Sequence, residues 1–264
     1  MNICVIGGGN MGLTYAKSIY DNFENTTISV VDKDPQKLEE LKATTPFLIF
    51  DDAKNCVADA QIVLMAVKPQ ISGLVFNEIQ DLITDQVIVS IMAGVTIHTL
   101  QNGLNTPKIV RAMPNLPSQV GHGVTGYIAS AEVNEKEQEL VQQILSSTGK
   151  AIALENETAI DAITALSGSG PAYVFYFMNA MIEKAQSFGF SPEDAKNIVL
   201  HTFSGTTDLF ESSPLSAETW IDRVTSKGGT THAALTSFKS NEIAQNIEKG
   251  VQAAFDRAQE LGKA

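Results

Sequence analysis

Gly7, Gly9 and Gly12 in the stretch CVIGGGNMG follow an apolar β-branched run and open a helical one. This spacing suits a dinucleotide. Gly7 permits the tight turn, Gly9 lets backbone approach a pyrophosphate, and Gly12 lets helix and strand pack closely. The anion then rests on a helix N-terminus, which makes Gly7, Gly8, Gly9, Asn10, Met11 and Gly12 the binding candidates. Asp32 comes twenty residues after Gly12, at the end of the next apolar run. A carboxylate there accepts from a ribose 2′-hydroxyl and repels a 2′-phosphate, which points to NADH; a plain turn-forming Asp would carry no such preference. Lys33 follows and offers a phosphate partner instead, so NADH and NADPH both stay open. Ala66-Val67-Lys68-Pro69 ends a further strand, and α/β sheets bind ligands at the carboxyl ends of their strands. Lys68 either approaches the cofactor phosphates or is solvated, and Pro69 starts the next helix.

Two later stretches could also do chemistry. SGSGPAYVFYF, from Ser167 to Phe177, breaks a long apolar helical region with two glycines and a proline. Each glycine costs about 1 kcal/mol and the proline about 3 in a helix interior. The spacing predicts a helix start there, close to the cofactor, with Ser167 and Ser169 as capping or binding hydroxyls. In TSKGGTTHAAL, from Thr225 to Leu235, Gly228-Gly229 precedes a helix beginning near Thr230. That makes a nest of amides for a carboxylate, with Thr231 as a hydroxyl for a ring nitrogen or as a helix cap.

The elements that must position these residues fall into two groups. Strand candidates are 3–6, 28–32, 47–50, 62–67, 87–92, 109–112, 124–129 and 151–154, with helical stretches such as 11–23 and 134–147 between most of them. The alternation implies βαβ units and a mainly parallel sheet over residues 1–154, a Rossmann-like NAD(P)-binding domain. From 155 to 264 the pattern is all-α. Ser191-Pro192-Glu193-Asp194 and Ser216 mark helix starts, and a last helix is predicted over 241–261. Phe175, Phe177, Met178, Met181 and Ile182 make the helix after Pro171 apolar around most of its circumference. Such a helix must be buried, either within its own chain or against a second copy in an obligate homodimer.

The chain has 264 residues, 44% of them hydrophobic and 18% charged, and a net charge of −12. The acidity argues against nucleic-acid and anionic-membrane partners, since phosphate binding needs a basic face. Cys4 and Cys56 allow no disulfide framework and no zinc spacing, and read as small buried apolar side chains. No metal site emerges, His98, His122, His201 and His232 included. There is no secretory signal and no membrane-length apolar run, so a cytoplasmic protein is expected.

The architecture, a sheet domain followed by a helical dimer domain, is also that of β-hydroxyacid and 6-phosphogluconate dehydrogenases. Their interdomain helix resembles GxGxxxKxxN, and the lysine and asparagine positions fall here on Val174 and Phe177. The alcohol-handling base is missing, which favours reduction of a C=N bond, where the nitrogen needs only one hydrogen-bonding partner. A dinucleotide sensor without turnover is the third option, because fold alone does not set function.

The sequence resembles the pyrroline-5-carboxylate reductases from Met1 to Leu261. The resemblance rests on VIGGGNMG, AVKPQ, AGVT at Ala93–Thr96, RAMPNLP at Arg111–Pro117, LSGSGPAY at Leu166–Tyr173 and SKGGTTHAAL at Ser226–Leu235. It implies hydride transfer from NADPH or NADH to the imine carbon of 1-pyrroline-5-carboxylate, which becomes C5 of proline. By similarity Thr231 hydrogen-bonds the imine nitrogen, while Ser226 and the amides around Gly228, Gly229 and Thr230 hold the carboxylate. The resemblance also implies that Asn115 lies near nicotinamide and substrate. The family also implies an interlocked homodimer, in some members built into a larger ring of dimers. Two departures stand out: Lys227 replaces a common proline, and Asp32 reads as NADH selection where many members prefer NADPH.

Overall fold

The structure is a computed structural model that describes residues 1–262; the last two positions of the expected 155–264 domain lie outside them. By compactness the chain separates into two units. One comprises Met1–Pro171 with the chain from Ala254 on, the other Ala172–Ala253.

The first unit is built on β1 (Asn2–Ile6), α1 (Asn10–Asn22), β2 (Thr27–Val31), α2 (Pro35–Thr44), β3 (Leu48–Phe50), β4 (Ile62–Met65), α3 (Ser72–Ile79), β5 (Val87–Ser90), α4 (Ile97–Leu104), β6 (Ile109–Met113), β7 (Gly123–Ala129), α5 (Glu135–Ser146) and β8 (Gly149–Ala153). The eight strands form one sheet in the order β3-β2-β1-β4-β5-β6-β7-β8. Every pairing is parallel except β6 with β7. The eight expected strands are all present, with ends shifted by one or two residues. Antiparallel pairing of β7 follows from its connection: residues 114–122 hold only a 3₁₀ turn, Leu116–Val120, too short for a crossover helix.

Both faces of the central strands are buried, which explains their unbroken apolar runs. Ile3 and Val5 of β1 face one core with Tyr15 and Ile19 of α1, whereas Cys4 and Ile6 face a second core with Phe76 and Ile79 of α3. Cys4 and Cys56 are both buried, and their sulfurs lie 3.0 Å apart.

After β8 the chain continues through α6 (Glu157–Ile163), a π-helical turn over Thr164–Gly168, and α7 (Gly170–Ser187). The expected helix start at SGSGPAY falls at Gly170, directly after this turn rather than after a loop. The Ser169 amide reaches back to the Thr164 carbonyl at 2.9 Å, five residues away, which makes the π turn that links α6 to α7. Pro171 is tolerated because its missing N–H comes just after that turn.

The second unit contains α8 (Pro192–Glu211), α9 (Ala217–Val224), α10 (Thr230–Ser240), most of α7 and the first part of α11 (Ile243–Leu261). Ser191 and Ser216 cap α8 and α9 as their sequence signals predict, each accepting an amide three residues on. The last helix begins at Ile243 rather than at 241, because Asn241 caps α10 and Glu242 takes a positive φ of 53°. Within this unit only Ala195 and Val199 are buried, and α7 has no buried residue. The alternative of a helix covered wholly by its own chain is thus ruled out. Among the described residues no helix is long and apolar enough to cross a membrane.

Candidate active site

The geometry of the turn between β1 and α1 is compatible with the glycine roles read from its spacing. Gly7 has φ +109°, its amide donates to the Val31 carbonyl at 2.8 Å, and a β-carbon there would lie 2.6 Å from the Ala66 carbonyl oxygen. At Gly12 a β-carbon would strike the Gly7 carbonyl oxygen. Gly9 faces open space and is the N-cap of α1, with no side chain occupying the free amides of the first turn. An anion therefore has both an approach and a donor set. Asn10 is exposed and Met11 packs partly against the core.

A cleft of about 270 Å³ opens beside this turn. Gly7, Gly9, Asp32, Lys33, Ala66, Val67 and Lys68 all line it. Pro69 opens a short 3₁₀ turn leading into α3. The Asp32 carboxylate is already well supplied with donors: the Gly8 amide and Lys37 Nζ at 2.9 Å on one oxygen, and the Asp34 amide at 3.0 Å on the other. Burial opposes its ionisation, but the bonds from Lys37, Asp34 and Gly8 outweigh burial and hold its pKa below the usual carboxylate value. Lys33 is not free, because its Nζ lies 2.8 Å from Glu78 Oε1. Sequence reasoning missed Lys37 and Glu78, both of which line the cleft. A signal for Lys37 was available: Asp34-Pro35 is a helix start, Asp34 accepting the Gln36 and Lys37 amides, which brings Lys37 back over Asp32.

Off the same carboxyl edge of the sheet, Asn115 follows β6 and bonds Ser167 in the π turn through Nδ2 at 2.9 Å, while its Oδ1 accepts the Val124 amide at 2.9 Å. Ser167 is thus a bonding partner of Asn115 rather than a helix cap. Arg111, 3% exposed, ties β6 to α6 through Glu157 at 2.7 Å and Asp161 at 3.3 Å. Glu157 also accepts the Ile97 amide at 3.0 Å, so the start of α4 joins the same cluster.

In the second unit the segment between α9 and α10 brings together Ser226, Gly228, Gly229, Thr230 and Thr231. The Gly229 amide closes a turn on the Ser226 carbonyl at 3.0 Å, and Gly228 takes φ +72°, which favours glycine. A β-carbon at Gly229 would strike the Ser226 hydroxyl. Gly229 is the N-cap of α10 and no side chain bonds the first-turn amides, so Thr231 is not a cap; its side chain is left for other work. Thr231 is half-buried, whereas Ser226, Lys227, Gly228 and Thr230 are exposed. The arrangement offers backbone donors for a carboxylate beside two hydroxyls.

Residues 157–261 match the family described as pyrroline-5-carboxylate reductase dimerisation, and residues 2–94 match the one described as NADP oxidoreductase coenzyme F420-dependent. The pyrroline-5-carboxylate reductase of Pseudomonas aeruginosa is 35% identical over 99% of this chain and 97% of its own length. That of Vibrio alginolyticus is 34% identical over 99% and 97%. Among solved structures, the Coxiella burnetii pyrroline-5-carboxylate reductase superposes with a TM-score of 0.92 at 33% identity, covering 100% of this chain and 99% of that one. The Plasmodium falciparum pyrroline carboxylate reductase, with NADP bound, gives 0.89 at 27% identity over 99% and 98%.

Proposed function

The chain belongs to the pyrroline-5-carboxylate reductase family, and on that premise we propose that it carries hydride from NAD(P)H to the C=N bond of 1-pyrroline-5-carboxylate, giving L-proline in the last step of proline biosynthesis. The observation that carries the reading is full-length kinship combined with two intact receptors for anions, the uncapped start of α1 and the uncapped start of α10.

The reduced nicotinamide supplies the hydride when bound. Gly7, Gly9 and the first-turn amides of α1 hold its pyrophosphate, with Asp32, Ala66, Val67 and Lys68 along the cleft wall. Ser226 and the amides of Gly228, Gly229 and Thr230 receive the substrate carboxylate. Thr231 donates its hydroxyl proton toward the imine nitrogen and steadies the charge that develops there as the C=N bond is reduced. Asn115 holds the π turn through Ser167. In the same proposal residues 1–154 bind cofactor and 155–264 bind substrate and pair two copies as a homodimer, a division supported by the two family matches. Association of dimers into a larger ring, a cytoplasmic location and the absence of nucleic-acid partners belong to this reading too.

Purified protein mixed with pyrroline-5-carboxylate and NADH or NADPH is expected to consume the nicotinamide absorbance and form proline. Cofactor binding without proline formation would sink the proposal.

A further inference from the structure

Glu78 lies on α3, 45 residues from Lys33, and accepts both the Lys33 ammonium at 2.8 Å and the Ala53 amide at 3.3 Å on the same oxygen. The backbone amide anchors the carboxylate, whose side chain is 21% exposed, and the carboxylate in turn draws in the lysine, which is 65% exposed. The amide itself is held in place because Ala53 opens a 3₁₀ turn capped by Asp52. On the adjoining wall of the cleft Lys37 is taken up by Asp32. Both lysines nearest the end of β2 therefore already have a carboxylate partner. A ribose 2′-hydroxyl needs only an acceptor, but a 2′-phosphate dianion needs an uncommitted cation and has to enter past the carboxylates of Asp32 and Glu78.

We propose that Glu78 is a specificity-determining residue: by holding Lys33 it makes the cleft select a dinucleotide with a free ribose 2′-hydroxyl over one bearing a 2′-phosphate. This rests on the dinucleotide-cleft reading above. It adds to Asp32 a second carboxylate, from a distant part of the chain, that acts through a lysine rather than on the ribose.

The test is calorimetric titration of the full chain with NADH and NADPH, and with 5′-AMP and adenosine 2′,5′-bisphosphate as fragments, requiring no turnover. The wild type is expected to bind NADH more tightly than NADPH. Glu78→Gln should raise NADPH affinity relative to NADH by roughly tenfold, the size of one charge-assisted bond regained, and Glu78→Gln with Lys33→Ala should lose that gain. An unchanged ratio in Glu78→Gln, or the same gain without Lys33, overturns the proposal. Lys33→Ala alone tests it from the other side. It should leave NADPH affinity unchanged because the lysine is already occupied, and a drop of about tenfold would show Lys33 serving the phosphate and overturn the proposal. If NADH binds and only the ratio fails, Glu78 loses its role; if neither dinucleotide binds, the cleft reading falls with it.

Discussion

Asn115 spans 52 residues of sequence to donate to the Ser167 hydroxyl at 2.9 Å while its carbonyl oxygen accepts the Val124 amide. Both ends of one side chain are used, so the segment after β6, the start of β7 and the π turn are held by a single amide group. We predict that Asn115→Ala costs about 1–3 kcal/mol, because it leaves the Val124 amide without its acceptor. Asn115→Asp, which keeps an acceptor and loses the donor, should fall between Asn115→Ala and wild type. Denaturant midpoints measure both, and equal midpoints for all three proteins would remove the linkage.

Thr231 makes no capping bond, so its replacement separates chemistry from stability. Thr231→Ala should lower kcat/KM by roughly tenfold to a thousandfold, the range for losing one transition-state donor, with Thr231→Ser retaining most of the activity. Thermal melts should be unchanged. Wild-type kinetics in the alanine variant would take Thr231 out of the mechanism.

Asp32 gives the protein an acid-sensitive turn. Its folded pKa lies below the unfolded value of about 3.9, so the ionised carboxylate stabilises the fold fully above about pH 4, and that contribution is lost as pH falls through the folded value. Asp32→Asn should therefore lower stability at neutral pH and flatten its decline in acid. Parallel stability curves for the two proteins between neutral and strongly acid pH would contradict this.

The apolar groove of about 390 Å³ between α7 and α11, with Tyr176 77% and Phe177 39% exposed on one side and Ile247 43% exposed on the other, is where a second copy should seat. Tyr176→Asp or Phe177→Asp puts a charge into that groove. We expect dissociation to weaker-binding or monomeric species, with a loss of at least about 2 kcal/mol in association if either ring is a hot spot. Light scattering during gel filtration decides it, and an unaltered mass in both variants would move the interface elsewhere.

The sheet was legible because β-branched runs such as Val87–Ser90 are buried on both faces and need no partner to be recognised. The glycine turn was legible because each glycine there answers a different steric demand. Other features depend on contacts between distant residues. SGSGP has the composition of a helix break, and only the Ser169 amide finding Thr164 turns it into a π turn. Glu78 reads as an ordinary acid on a short helix, since nothing in its neighbourhood names Lys33. The pairing of Asn115 with Ser167 and the meeting of Cys4 with Cys56 are likewise silent in the sequence, each spanning 52 residues.

With only Ala195 and Val199 buried in the unit Ala172–Ala253, that helical half holds too little apolar packing of its own to outweigh the entropy of ordering it. Its folding is then a second-order process, and the melting temperature becomes a function of protein concentration. Dilution alone should loosen the helices around Thr231 while the sheet and its glycine turn persist.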